Sequence, residues 1–356
     1  MLNPQLDRRG ELIHLLTTEG LPKRHVERLL DAARAYAAAG DAGSPAALMP
    51  PAHAAPCPVF LSLGDDLADG DAYAALATRL SLLPVVLDAQ TEPHAQPAQP
   101  AQPAQHAQYA QHPPHPQHAP DVHAPSGAVA FNPHLGDALA ETVARLQPGV
   151  LVLRHAASGA AHCAAAHAAP GLRVINAGDG CHADPLPALA LVLAMLHAKQ
   201  DLTNLAVTLV GDIRHSRVAR SVIHSMTTLG VPEVRVVAPR TLLPEGLPQL
   251  GVRECVNLHE GLQDADVIIV LPLQVERISG ALLPSAREYA HAYGLTPATL
   301  AGAKPDALLL PGGALTPGVE VDGDVAAALP PVQAQLADLE QHLRLAALSV
   351  LAGDAP

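Results

Sequence analysis

The stretch LVGDIRHSRVARS, residues 209–221, carries Arg214, Arg217 and Arg220 just after an apolar run breaks at Gly211. Arginine presents a planar fork of N–H donors that grips carboxylate and phosphate oxygens in pairs, so this spacing points to anion binding. A dinucleotide is the first anion to weigh, because strand, turn and helix follow one another here. Only one glycine stands where a G-x-G-x-x-G turn has three, and no phosphate loop of the Walker type occurs, which excludes NAD and nucleotide triphosphates bound in those modes. The bland alternative is that Arg217 pairs with Asp212 or another acid of the fold, with Arg214 and Arg220 facing solvent or intramolecular acids.

Composition narrows the remaining possibilities. The chain has 356 residues, enough for two domains at roughly 100–200 residues each. Half of it is hydrophobic, but aromatics make up only 2% and tryptophan is absent, so the core is expected to be aliphatic and alanine-rich. A formal net charge of -13 argues against nonspecific binding to nucleic acid or to an anionic membrane. Cys57, Cys163, Cys181 and Cys255 are scattered without a C-x-x-C pair, so no zinc knuckle or redox motif is indicated. Without a signal-like start or a run near ~20 apolar residues, a cytoplasmic location is expected.

The elements that must position the arginines follow from hydrophobic period. Val26, Leu29, Leu30 and Ala33 fall at helical spacing in residues 21–39, with Gly40 as the stop. CPVFLSLGDD reads as strand and loop, AYAALATRLSL as helix and PVVLDA as strand. From about 90 to 126, Pro, Ala, Gln and His repeat with almost nothing to bury, so a disordered insertion is expected there; its histidines lack fixed ligand geometry and no metal site is assigned. After it, GDALAETVARLQ (helix), GVLVLRH (strand), GAAHCAAAHAA (helix) and LRVINAG (strand) alternate, followed by the apolar helix PLPALALVLAMLHAKQ. The alternation resumes through LAVTLVGD, EVRVVAP, DADVIIVLP and DALLLPGG, and a final helix spans PVQAQLADLEQHLRLAALSVLAG. Val/Ile/Leu-rich strands alternating with helices imply an α/β fold of two domains, each a parallel sheet flanked by helices. Ligands in such sheets bind beyond the carboxyl ends of the strands, which directs attention to the intervening loops.

Read together, the loops INAGDGCHADP, VGDIRHSRVARS, LPSAREYAHAYGLT and AKPDALLLPGG with PGVEVDGDVA occur in the order and spacing of the aspartate carbamoyltransferase family, which the chain resembles over nearly its whole length outside the insertion. GELIHLLTTEGLP and LSVLAG are similar to that family too. The resemblance implies the aspartate/ornithine carbamoyltransferase fold, with a carbamoyl-phosphate-type domain over 1–184, an aspartate-type domain over 185–325 and a C-terminal helix, 326–356, returning to the first. It further implies a homotrimer with active sites shared between subunits, a place in pyrimidine biosynthesis, and chemistry that needs no cofactor because positioning and charge stabilisation carry it.

The same resemblance marks departures at the site. Over the family's phosphate-binding Ser-Thr-Arg-Thr-Arg stretch this chain has DLADGDAY, so Asp66 stands for the serine and Ala68 for the arginine, with Asp65, Asp69 and Asp71 crowding the turn. Leu135 stands where a neighbouring subunit's lysine is expected. In HADPLPAL, Asp184 and Pro187 replace the histidine and glutamine that contact the carbamoyl group; an ionised Asp only accepts, and Pro lacks even a backbone N–H. Pro272 replaces the arginine of an R-x-Q pattern. Arg154, Arg217 and Gln274 match substrate-binding positions and are the expected remnants. With so many donors replaced by acids or by side chains that cannot donate, the expectation is an inactive or impaired relative that assembles as a trimer, with an active carbamoyltransferase chain, or with other pyrimidine-pathway subunits. The competing expectations are a working carbamoyltransferase acting on L-aspartate or another amino acid, and a sensor holding a carboxylate on Arg217 and Gln274.

Overall fold

The computed structural model describes residues 3–40, 57–64, 67–87, 135–278 and 285–353. The Pro/Gln/His-rich stretch and Asp66 lie outside the described residues.

Helix α1, Lys23–Ala39, buries the predicted face of Val26, Leu29, Leu30 and Ala33 and ends where the Gly40 amide donates to Ala37. Strand β1 (Pro58–Ser62), helix α2 (Leu67–Arg79), β2 (Leu83–Val86), α3 (Leu135–Ala144), β3 (Gly149–His155), α4 (Ala160–His167) and β4 (Leu172–Asp179) follow. Their strands form a four-stranded parallel sheet in the order β2-β1-β3-β4. Helix α5, Pro185–Lys199, leads to β5 (Ala206–Val210), α6 (Arg217–Leu229), β6 (Glu233–Val237), β7 (Val252–Glu254), α7 (Leu258–Leu262), β8 (Val267–Val270), α8 (Ala286–Tyr293), α9 (Pro297–Leu300) and β9 (Leu308–Pro311). These strands form a five-stranded parallel sheet, β7-β6-β5-β8-β9. The chain closes with α10 (Gly323–Ala328) and α11 (Pro330–Gly353).

The strand order reverses between β1 and β3 in the first sheet and between β5 and β8 in the second, the positions at which open α/β sheets generally hold their ligands. Helix α5 is apolar on nearly every side because it is enclosed: it packs on α6 and α11 and reaches β4 and β9. Helix α11 lies on α1, α5 and α2, which carries its buried second half across the helices of both sheets. Among the described residues no helix is long and apolar enough to cross a membrane. The core is the aliphatic one expected, with Tyr36, Tyr73, Phe60 and Tyr289 its buried aromatic side chains among the described residues.

Three readings of the sequence need correction. Helix α2 starts at Leu67, not near Ala72, so Asp69 sits in its first turn, where a negative charge is favourable to the helix dipole. The three-residue β7 gave too short an apolar run to be read as a strand. LPSAREYAHAYGLT, read as a loop, contains α8, which Ser285 caps by accepting from the Glu288 amide at 3.1 Å.

The segment before α1 is sewn along β4. Leu15 donates to Val174 and accepts from Asn176, both at 2.8 Å, and the Val174 amide donates to His14 Nδ1 at 3.0 Å. That last bond requires an unprotonated Nδ1, and burial, aided by the positive charge of Arg173, pushes the His14 pKa down to about 4. In the unfolded chain the imidazole takes up its proton near pH 6.5. The unfolded state therefore binds more protons between these values, and stability present above pH 6.5 is lost as pH falls toward 4. This contribution amounts to about 3 kcal/mol. A His14→Gln protein is expected to show a flatter stability profile over that window in urea titrations at stepped pH; equal slopes for the two proteins would refute the assignment.

Candidate functional site

A cavity of about 510 Å³ opens where the two sheets and α11 meet. Each sequence element contributes charge to it. Arg154 is the penultimate residue of β3, the first turn of α2 supplies Asp69, and Asp184 stands at the N-cap of α5. Arg217 begins α6 after Ser216, whose hydroxyl accepts from the Ala219 amide and starts the helix at that point. Glu340 and Arg344, one turn apart on α11, complete the wall.

These groups are joined to one another. Asp69 bridges two arginines, with Oδ2 at 2.5 Å from Arg154 Nη2 and Oδ1 at 2.7 Å from Arg344 Nη1. Arg344 also donates through Nη2 and Nε to Glu340 Oε1, at 2.5 and 3.1 Å, and its guanidinium lies 4.7 Å from the ring centre of buried Tyr73. Arg154 Nε donates to the Ala177 carbonyl at 2.9 Å, which fixes its fork toward the cavity. Arg217 Nε donates to Asp184 Oδ2 at 2.8 Å. The guanidinium of Arg217 lies over Gly178, 2.7 Å from where a Cβ would sit, and the φ of +114° at Gly178 calls for glycine there.

Three arginines and three carboxylates therefore line the cavity, which carries no net formal charge when all six are ionised. Burial pushes the Asp184 carboxyl up from its ordinary range against the pull of Arg217. Burial does the same to Glu340 against Arg344. Between the charges the wall is apolar, with Pro187, Leu191, Val218 and Leu336.

The sequence-derived site is only partly assembled here. Arg154, Arg217, Asp69, Asp184 and Pro187 do line the cavity. Among the described residues, Gln274, Pro272 and Ala68 stand outside its wall. The Gln274 backbone N–H donates to Asp212 Oδ2 at 3.3 Å, while Pro272 packs where a Cβ on Gly313 would come within 3.0 Å of its ring. Ala68 is exposed on α2, and Leu135 is the first residue of α3. Arg217 does pair with an acid of the fold, but with Asp184 and not Asp212: Asp212, fully buried, receives His215 Nδ1 at 3.0 Å from both oxygens. Arg214 and Arg220 are exposed. Sequence reasoning missed Glu340 and Arg344; their signal was an i, i+4 pair of opposite charge inside an otherwise apolar stretch of the last helix. It also missed Arg277, whose Nη1 donates to the Gly180 and His215 carbonyls, at 2.5 and 3.4 Å, and so ties the loop after β4 to the loop after β5.

Two parallel sheets sharing a charged cavity at the carboxyl ends of their strands define a two-domain α/β architecture. No family model matches the sequence. Solved structures do: ornithine carbamoyltransferase from Pyrococcus furiosus superposes with a TM-score of 0.69 at 17% identity, over 96% of this chain and 98% of that one. Ornithine carbamoyltransferase from Gloeobacter violaceus gives 0.67 at 16%, over 96% and 99%. Aspartate transcarbamoylase from Trypanosoma cruzi in complex with phosphate gives 0.68 at 19%, over 99% of both chains. The chain thus has the carbamoyltransferase fold, as the sequence resemblance implied.

Proposed function

We propose that this chain is a carbamoyltransferase-like protein whose catalytic capacity is lost or strongly impaired, and that it serves a structural or regulatory role in a carbamoyltransferase assembly. The observation that carries the reading is the occupation of the cavity's arginines by the protein's own acids: Asp69 on Arg154 and Arg344, and Asp184 on Arg217. A phosphorylated donor and an amino-acid acceptor bring several negative charges together, and a site for them needs donors aimed at the charge that develops. Here a dianion would have to displace Asp69, and two unit charges ~4 Å apart at an effective dielectric near 20 repel by ~4 kcal/mol. Asp184 and Pro187, at the positions matched to carbamoyl-contacting residues, offer no side-chain N–H to polarise a carbonyl. Assembly as a homotrimer or with an active carbamoyltransferase chain, in pyrimidine biosynthesis, belongs to this proposal.

Removing one oxyanion-type donor costs about 10²–10³ in turnover, so with several replaced the rate expected from carbamoyl phosphate and L-aspartate or L-ornithine is below about 10⁻² s⁻¹, against a typical enzyme value near 10 s⁻¹. Turnover in the ordinary range would overturn the proposal. The second reading, transfer of the carbamoyl group to L-aspartate or another amino acid, is favoured by one fact: Arg154 and Arg217 still reach a common cavity. The same assay, run over a panel of amino acids, decides between the two. Sedimentation of the protein alone and mixed with an active carbamoyltransferase tests the assembly.

A further inference from the structure

Beside the cavity, and forming no part of its wall, His162 of α4 faces Asp179, the last residue of β4, and His182 in the loop that follows. One donor atom from each of the three lies within 4.8 Å of the others. The rings of His162 and His182 meet edge to face with centroids 5.2 Å apart. Asp179, 1% exposed, accepts from His182 Nδ1 at 3.1 Å and from the Gly159 amide at 2.7 Å on one oxygen, and from Asn176 Nδ2 and the Ala183 amide on the other. Its orientation is therefore fixed from four sides. His162 differs: its Nδ1 is shielded from solvent and has no hydrogen-bond partner among the described residues. A buried ring nitrogen left without a partner is unfavourable and calls for an explanation.

We propose that His162, His182 and Asp179 form a binding site for a divalent transition-metal ion of the zinc type. Two imidazoles and a carboxylate are the donor set such ions prefer over calcium or magnesium, which favour all-oxygen shells. The ion takes the place of the proton that His182 shares with Asp179 and draws in a nitrogen of the His162 ring, whose Nδ1 has no hydrogen-bond partner among the described residues. Metal–nitrogen bonds of about 2.0–2.1 Å put tetrahedral donors roughly 3.4 Å apart; His182 Nδ1 and Asp179 Oδ2, 3.1 Å apart, already have that spacing, and rotation of the His162 ring brings in the third donor. With three protein donors, water completes the shell. Sequence reading missed the set because His162 lies on a helix well before Asp179 and His182, and the spacing matches no compact metal motif. The site joins α4 to the loop that runs on to Asp184, so its occupation would stiffen the position from which Asp184 holds Arg217. This inference stands whether or not the chain is catalytic.

The test is titration of the full chain with Zn²⁺ and with Co²⁺, compared with a His162→Ala, His182→Ala double variant. The comparison removes the contribution of the many histidines in the 90–126 stretch, which both proteins share. The wild type is expected to take up one equivalent more than the variant, to show the intense visible Co²⁺ bands of a four-coordinate site, and to melt several degrees higher with Zn²⁺, a shift the variant lacks. Equal stoichiometry and identical Co²⁺ spectra would overturn the proposal. A His162→Cys protein guards against a variant that does not fold: it retains a donor, and its Co²⁺ complex should add a thiolate charge-transfer band, whose absence in the folded protein also counts against the site.

Discussion

Replacing Asp69 by asparagine is expected to make the protein bind inorganic phosphate about 10- to 100-fold more tightly, equivalent to about 1.4–2.7 kcal/mol. In the parent, both Asp69 oxygens are engaged by arginines, Arg154 at 2.5 Å and Arg344 at 2.7 Å. The substitution removes a carboxylate from a cavity that otherwise holds three arginines against three acids, leaving it with one net positive charge. The full ~4 kcal/mol of a close charge pair is not recovered, because the cavity opens to solvent and the asparagine oxygen still accepts from one guanidinium. Some stability is lost in exchange. Breaking a buried ion pair costs 3–5 kcal/mol, and with Asp69 partly accessible at 15% the expected loss is nearer 2 kcal/mol, much of it restored by saturating phosphate. Calorimetry with phosphate, and melting with and without it, reads both effects. Parent and variant binding phosphate equally would show that Asp69 is not what excludes the anion, and would remove the main support for an impaired site.

The second large effect is on folding. Arg344 is only 8% exposed, lies over Tyr73, and neutralises both Asp69 and Glu340. Arg344→Ala leaves the partly buried Glu340 without its cation and Asp69 with only Arg154, and the two stranded carboxylates together make a loss of about 3 kcal/mol the expected result in urea denaturation. Lysine should not rescue it, since one ammonium cannot present a planar fork to two carboxylates and stack on a ring at once. Combining Arg344→Met with Glu340→Gln is expected to recover a good part of the loss, because it removes the stranded charge as well as its partner and keeps an aliphatic stem against Tyr73. If Arg344→Ala stays within about 0.5 kcal/mol of the parent, the ion cluster is peripheral to stability.

Much of this arrangement was legible before any coordinates. The Val/Ile/Leu runs at 149–155, 206–210 and 267–270 became buried parallel strands because residues enclosed on both faces need not alternate. The apolar PLPALALVLAML run became a helix enclosed by α6 and α11 for the same reason. The rule that ligands sit beyond strand ends directed attention to the loops, and the family resemblance marked Arg154, Asp184 and Arg217, all in the cavity wall. The start of α2 was misplaced because aspartates read as loop formers, whereas in the first turn of a helix they are favourable.

By itself, then, the sequence determined the alternation of strands and helices, the aliphatic core and the loops in which charge collects, since these follow from local period and residue type. Which charge meets which was decided only by tertiary structure. Asp69 and Arg344 are 275 positions apart, and it is the packing of the last helix on α1, α2 and α5 that brings them to 2.7 Å. Arg217 likewise chose Asp184 over the nearby Asp212, because His215 had already filled the oxygens of Asp212. An ion pair depends on distance and desolvation, quantities that exist only once the chain has closed on itself.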